Sequence, residues 1–278
     1  MKPQAISAAL ALLFAAMSSG AVAQDKIVPN TGGISMDSVQ SLNQSGTGPK
    51  VIGGSPAKTA DWPASFYSSA AGARCTATLV GPRALLLAAH CVGNGKEASI
   101  QKGATTISGE CTHADGYKGG AGDASADYAL CLMKQAVTGI KYETVNLDTT
   151  RIKKGNSIRL TGYGCTDTGQ GGGNDGIYRI GDAKIVALPG EPGNEPNTIL
   201  TRDQIMVCPG DSGGGAYIVI TATRRLIASV NSRVWFIKGQ SYLSSLSSAD
   251  GLAFLKNWSV ANNNEKICGV NFQDNSCR

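Results

Sequence analysis

The chain has 278 residues, 42% of them hydrophobic and 16% charged, with a formal net charge of +5; it is long enough for a substantial core in one or two compact lobes. Residues 1–50 carry three cations and two acids, so the remainder keeps +4 with no long cationic run, and nucleic-acid binding has no electrostatic footing. Eight cysteines, none in a C-x-x-C pair, fit disulfides in an oxidising compartment and speak against a zinc site.

In chain order, residues 1–23 read as a signal peptide: Lys2, an apolar run around Ala8 to Met17, then Ala21-Val22-Ala23 as the small-x-small cleavage pattern. That run is shorter than the roughly 20 apolar residues a membrane span needs, so an exported protein with no membrane partner is expected. Residues 24–50, polar and rich in Ser, Gly, Gln and Asn with a brief apolar patch at Ile27 and Val28, read as a propeptide ending at Lys50.

From Val51 the texture changes to short apolar runs separated by Gly, Pro, Asn and Asp. Strands are predicted over 64–68, 75–80, 84–89, 98–107 and 128–133, then over 157–163, 177–188, 199–207, 216–221 and 225–236. The expectation is an all-β body in two lobes with a boundary near 145–157. Leu252, Leu255 and Trp258, at helical spacing after Ser248 and Asp250, predict a short C-terminal helix. Gly169 to Gly173 reads as a surface loop, and His113 as a surface loop residue.

Three motifs follow one another. Leu87-Ala88-Ala89-His90-Cys91 ends one apolar strand in a histidine, Asp127-Tyr128-Ala129-Leu130 opens another with a carboxylate, and Gly210-Asp211-Ser212-Gly213-Gly214 places a serine in a glycine loop. Each alone has a structural explanation; together they supply what acyl transfer needs. A serine hydroxyl is a poor nucleophile, so it requires a base within hydrogen-bond reach, and the base requires a partner that fixes its tautomer. Ser212, His90 and Asp127 are candidates for nucleophile, base and orienting carboxylate, and the N–H groups of Gly210 and Ser212 for an oxyanion hole.

These motifs, in this order, resemble the chymotrypsin and trypsin family of serine proteases from Val51 to about Trp258. The resemblance implies two six-stranded antiparallel β-barrels with the active site between them, a monomer, and no cofactor or metal; no calcium-loop pattern occurs either. Val51-Ile52-Gly53-Gly54 resembles the family's mature N-terminus, which implies that a separate protease cuts after Lys50 and that the new Val51 ammonium pairs with Asp211. Gly162-Tyr163-Gly164 resembles the family's Gly-aromatic-Gly segment. Cys75 and Cys91 match the pair that staples the base's loop, and short sequence loops favour Cys111 with Cys131, Cys165 with Cys208 and Cys268 with Cys277.

Protein or peptide substrates are implied, but without a trypsin-like preference. Met206, six places before Ser212, offers an apolar pocket floor and no charge for Lys or Arg. Asn231, Ser232 and Arg233 fall on the strand that resembles the pocket wall pairing with substrate backbone. Arg233 turned inward favours an acidic substrate residue or closes the pocket; turned outward, it leaves an apolar one. The alternative function is a catalytically impaired binding protein on the same fold. An esterase-type hydrolase lacks its G-x-S-x-G elbow and alternating helices.

Overall fold

The computed structural model describes residues 28–29, 51–70, 72–119, 124–165 and 175–278. The expected signal peptide, most of the expected propeptide and the glycine run at Gly169–Gly173 lie outside the described residues.

Two six-stranded antiparallel barrels make up the body. The first contains β3 (Ser65–Ala70), β4 (Ala73–Leu79), β5 (Ala84–Leu87), β6 (Lys96–Lys102), β7 (Thr105–His113) and β8 (Ala129–Met133), and it closes in the order β3-β4-β5-β8-β7-β6. Strand β6 buries alternate residues, Ala98 and Ile100, whereas all four residues of β5 are buried. The single strand predicted over 98–107 is two, because Gly103 at φ 58° turns the chain into a hairpin in which Lys102 faces Thr105. His113 is the last residue of β7 rather than a loop residue; its Nε2 lies 2.7 Å from the carbonyl of Val92.

The second barrel contains β9 (Ser157–Gly162), β10 (Arg179–Ala187), β11 (Thr198–Arg202), β12 (Gly215–Val219), β13 (Arg225–Trp235) and β14 (Gln240–Ser245). These run β13-β12-β9-β10-β11-β14, and β14 returns to β13 to close the barrel. Two short strands join from outside: β1 (Val28–Pro29) on β13 and β2 (Ser55–Pro56) on β10. Strand β14 escaped the sequence reading because QSYLSS has no apolar alternation, yet all six residues are buried.

Helix α1 (Ala249–Ala261) follows, capped by Ser248, whose hydroxyl accepts from the N–H of Gly251 at 3.2 Å. It buries Phe254, Leu255 and Trp258 against the first barrel's core, with Phe254 in the place expected for Leu252. The barrels are joined at Val145, which bridges Ile227 in the second barrel, and by a buried ion pair of Glu143 with Arg225. The Arg225 guanidinium also lies 3.4 Å from the ring centre of Trp62.

Candidate active site

Strand pairing alone brings two candidates together. Leu87 at the end of β5 faces Ala129 at the start of β8, so the chain leaving β5 and the chain entering β8 meet at one rim of the first barrel. His90 sits three residues past Leu87 and Asp127 two before Ala129. His90 Nδ1 lies 2.5 Å from Asp127 Oδ2, and the backbone N–H of His90 donates to Oδ1 at 2.9 Å. The Cys75–Cys91 disulfide fastens the histidine's turn to β4.

Asp127 is fully buried and receives a third bond, from the Ser232 hydroxyl at 2.5 Å. Burial works to raise its pKa, but the charge of His90 and the hydrogen bonds from His90 and Ser232 outweigh it and hold the group below its ordinary value. The carboxylate is therefore ionised and fixed, as a group that orients an imidazole must be. Ser232 was expected in the pocket wall; its side chain instead serves Asp127.

Ser212 is held between the barrels by backbone: its carbonyl accepts from the N–H of Thr76 at 2.8 Å, and the next residue's N–H donates to the carbonyl of Asn231 at 2.9 Å. Thr76 binds the loop a second time, its hydroxyl donating to the Gly210 carbonyl at 2.8 Å and accepting from the N–H of Tyr163 at 3.0 Å. Gly210 at φ 99° occupies backbone space closed to other residues. No sequence signal pointed to Thr76, since a threonine in a strand carries no pattern of its own.

Asp211 is also fully buried. Its carboxylate accepts from the N–H groups of Gly164 at 2.7 Å and Cys208 at 2.8 Å, while the guanidinium of Arg179 is bonded to Asp175 and acts on Asp211 only through its charge. Burial pushes Asp211 up to about 7. Gly162 and Gly164 make room for it: a Cβ on either would come within 2.6 Å of the Asp211 side chain. Val51, 1% exposed, lies in the second barrel's core with Met206, and the Ile52 carbonyl accepts from the Met206 N–H at 3.1 Å.

A family model described as Trypsin matches residues 51–227, more than half of the chain, and takes in His90, Asp127 and Ser212. The chain belongs to the trypsin family. No curated protein matches this trypsin-family chain. Solved structures do, 1066 chains of them, so the fold is common and does not by itself set an activity. One, described as the atomic-resolution structure of HBP, is 16% identical with a TM-score of 0.60 and covers 78% of this chain and 99% of its own; the likeness is one of fold.

The trypsin-family frame carries four disulfides, Cys75–Cys91, Cys111–Cys131, Cys165–Cys208 and Cys268–Cys277. The sulfurs of Cys75 and Cys91 lie within 4.8 Å of a His90 ring nitrogen, but joined to each other they cannot act as thiolate metal ligands. Among the pocket candidates, Met206 is 6% exposed and packs in the core. The Asn231 amide donates to the carbonyls of Thr161 and Asp211 and so braces the serine loop. Arg233 is neutralised by a bidentate pair with Glu195, a partner 38 residues away that no sequence pattern marks, and lies over the ring of Tyr242 at 5.1 Å. Val234 and Ser241 pair across β13 and β14, and the Ser241 hydroxyl accepts from the N–H of Val207 at 3.1 Å.

Among the described residues no helix is long and apolar enough to cross a membrane.

Proposed function

We propose that the chain is a secreted serine endopeptidase, made as a zymogen and activated by cleavage after Lys50. The observation that carries this reading is the His90–Asp127–Ser232 cluster, with Nδ1 at 2.5 Å from the carboxylate, beside a serine loop bonded to both barrels. With Nδ1–H held by Asp127, the other ring nitrogen, Nε2, is the one left to take the Ser212 proton as the oxygen attacks a peptide carbonyl. The tetrahedral oxyanion is then received by the N–H groups of Gly210 and Ser212, the leaving amine takes the proton from His90, and water repeats the sequence on the acyl-enzyme.

Activation follows from Asp211. A fully buried carboxylate pushed up to about 7 has only the charge of Arg179, itself bonded to Asp175, and no cation in contact with it, and a buried charge without a paired partner costs several kcal/mol. A Val51 ammonium supplies that partner. Val51 also holds φ 42°, a strained value for a β-branched residue, which a cut at its N-terminal side frees it to leave.

The pocket reading is apolar. Glu195 already occupies the guanidinium of Arg233, and Met206, the floor candidate, offers hydrocarbon and no charge. The test is a fluorophosphonate probe and a peptide-library digest applied to the full chain cut after Lys50, beside Ser212→Ala. Labelling and cuts after small or medium apolar residues, both lost in the variant, are expected. A folded, cut protein that neither labels nor digests would leave the binding-protein reading in its place.

A further inference from the structure

Strand β13 has an open edge beside the triad. Strand β12 pairs with it only as far as Val230, while β14 covers its other side from Ser229 to Trp235. Asn231 is still taken, its N–H donating to Gly214 and its carbonyl accepting from Gly213, and beyond it one row of backbone donors and acceptors is available to another strand. It begins next to Ser232, the residue bonded to Asp127.

The strand found on that edge comes from the chain's own N-terminal segment. Val28 pairs with Val234 and Pro29 with Arg233, antiparallel. Since β14 meets Arg233 and Val234 from one side through Tyr242 and Ser241, β1 lies on the other, open side. Proline has no N–H, so the pair exchanging two backbone bonds is Val28 with Val234. The antiparallel sense means that the step from Val28 to Pro29 runs from Val234 towards Ser232 and the catalytic groups.

We infer that this segment is a built-in competitor for the substrate edge, holding in backbone-to-backbone fashion the place an extended peptide substrate takes. The inference rests on the protease reading above and adds a second control to it. Pro29 and Val51 are 22 residues apart in the sequence, a reach of roughly 70 Å when extended, so cutting after Lys50 does not by itself remove the strand from the edge. A cut chain accordingly keeps its N-terminal fragment bound and stays slow until that fragment leaves or is degraded.

The experiment takes the full chain and its Val28→Pro variant, cuts both after Lys50, and measures two things: retention of the N-terminal fragment on gel filtration, and the rate of fluorophosphonate labelling. The wild-type chain is expected to retain the fragment and to label at least tenfold more slowly than the variant, which loses the N–H of residue 28 and with it both the fragment and the block. A synthetic peptide of residues 24–50 added to the fragment-free protein should restore slow labelling, and the same peptide N-methylated at Val28 should not. Fragment lost equally from both proteins, or retained without any effect on labelling, overturns the inference. If neither protein labels under any condition it is the protease reading that fails, and the difference in retention between the two chains still decides whether β1 holds the edge.

Discussion

Asp211 is the residue on which the proposed activation turns, and its burial has a measurable consequence for the uncut protein. In the folded precursor burial pushes its pKa from 3.8 up to about 7. Between those values the folded state holds a proton that the unfolded state has released, so stability falls as pH rises across this window. The contribution is fully present below about pH 4 and is lost as the pH passes about 7. The thermal midpoint of a Ser212→Ala precursor should therefore drop between pH 5 and pH 8 more than that of the same chain carrying Asp211→Asn; equal drops would place the proton elsewhere. Glu143, also raised by burial against the pull of Arg225, titrates in both chains and cancels from the comparison. In the cut chain Asp211→Asn removes the partner proposed for the Val51 ammonium. Activity should then fall by roughly a hundredfold, the scale of a lost oxyanion donor, while circular dichroism stays unchanged.

At the level of strands and their connections, a buried ion pair of Glu143 and Arg225 ties the segment between the barrels to β13. Glu143 is fully buried, Arg225 donates to both its oxygens and to the Asp61 carbonyl, and the guanidinium covers Trp62. Arg225→Leu leaves the carboxylate buried without its partner and should cost about 3–5 kcal/mol, read as a lower denaturation midpoint with unchanged slope. Adding Glu143→Leu should recover part of the loss; a single variant as stable as the parent would show that the pair contributes nothing net. Such a contact was invisible in the sequence, where the two residues stand 82 apart amid unremarkable neighbours. What was legible had local signatures: apolar runs for β5 and β13, the helix start signals at Ser248 and Asp250, and the motifs that hold His90, Asp127 and Ser212. What was not legible depended on the closure of the barrels. Strand β14 is buried by its neighbours rather than by its composition, Ser232 finds Asp127 across 105 residues, and Thr76 acquires its contacts with Gly210 and Tyr163 only when the two barrels meet.

For the whole molecule, the arrangement of pocket and propeptide decides who activates whom. In the proposed activation the bond that is cut follows Lys50, so an activating enzyme must accept a cationic side chain. A lysine ammonium brought against Met206, 6% exposed in an apolar core with Val51 and Val207, meets hydrocarbon, and the Glu195 carboxylate is already held by Arg233. Leaving a charge desolvated and unpaired costs several kcal/mol, which in a transition state amounts to a rate loss of roughly a hundredfold or more. On the proposed reading the mature protein is a poor catalyst of its own maturation, and activation calls for a second protease with a lysine-accepting pocket. The Ser212→Ala precursor incubated with catalytic amounts of the cut wild-type chain should keep its Lys50–Val51 bond intact over hours, while a lysine-specific protease converts it within minutes. The new N-terminus at Val51, read by mass spectrometry, reports the cut directly. Rapid conversion by the chain itself would mean that the pocket accepts lysine by a route other than its floor, and the apolar preference assigned to Met206 would fall with it.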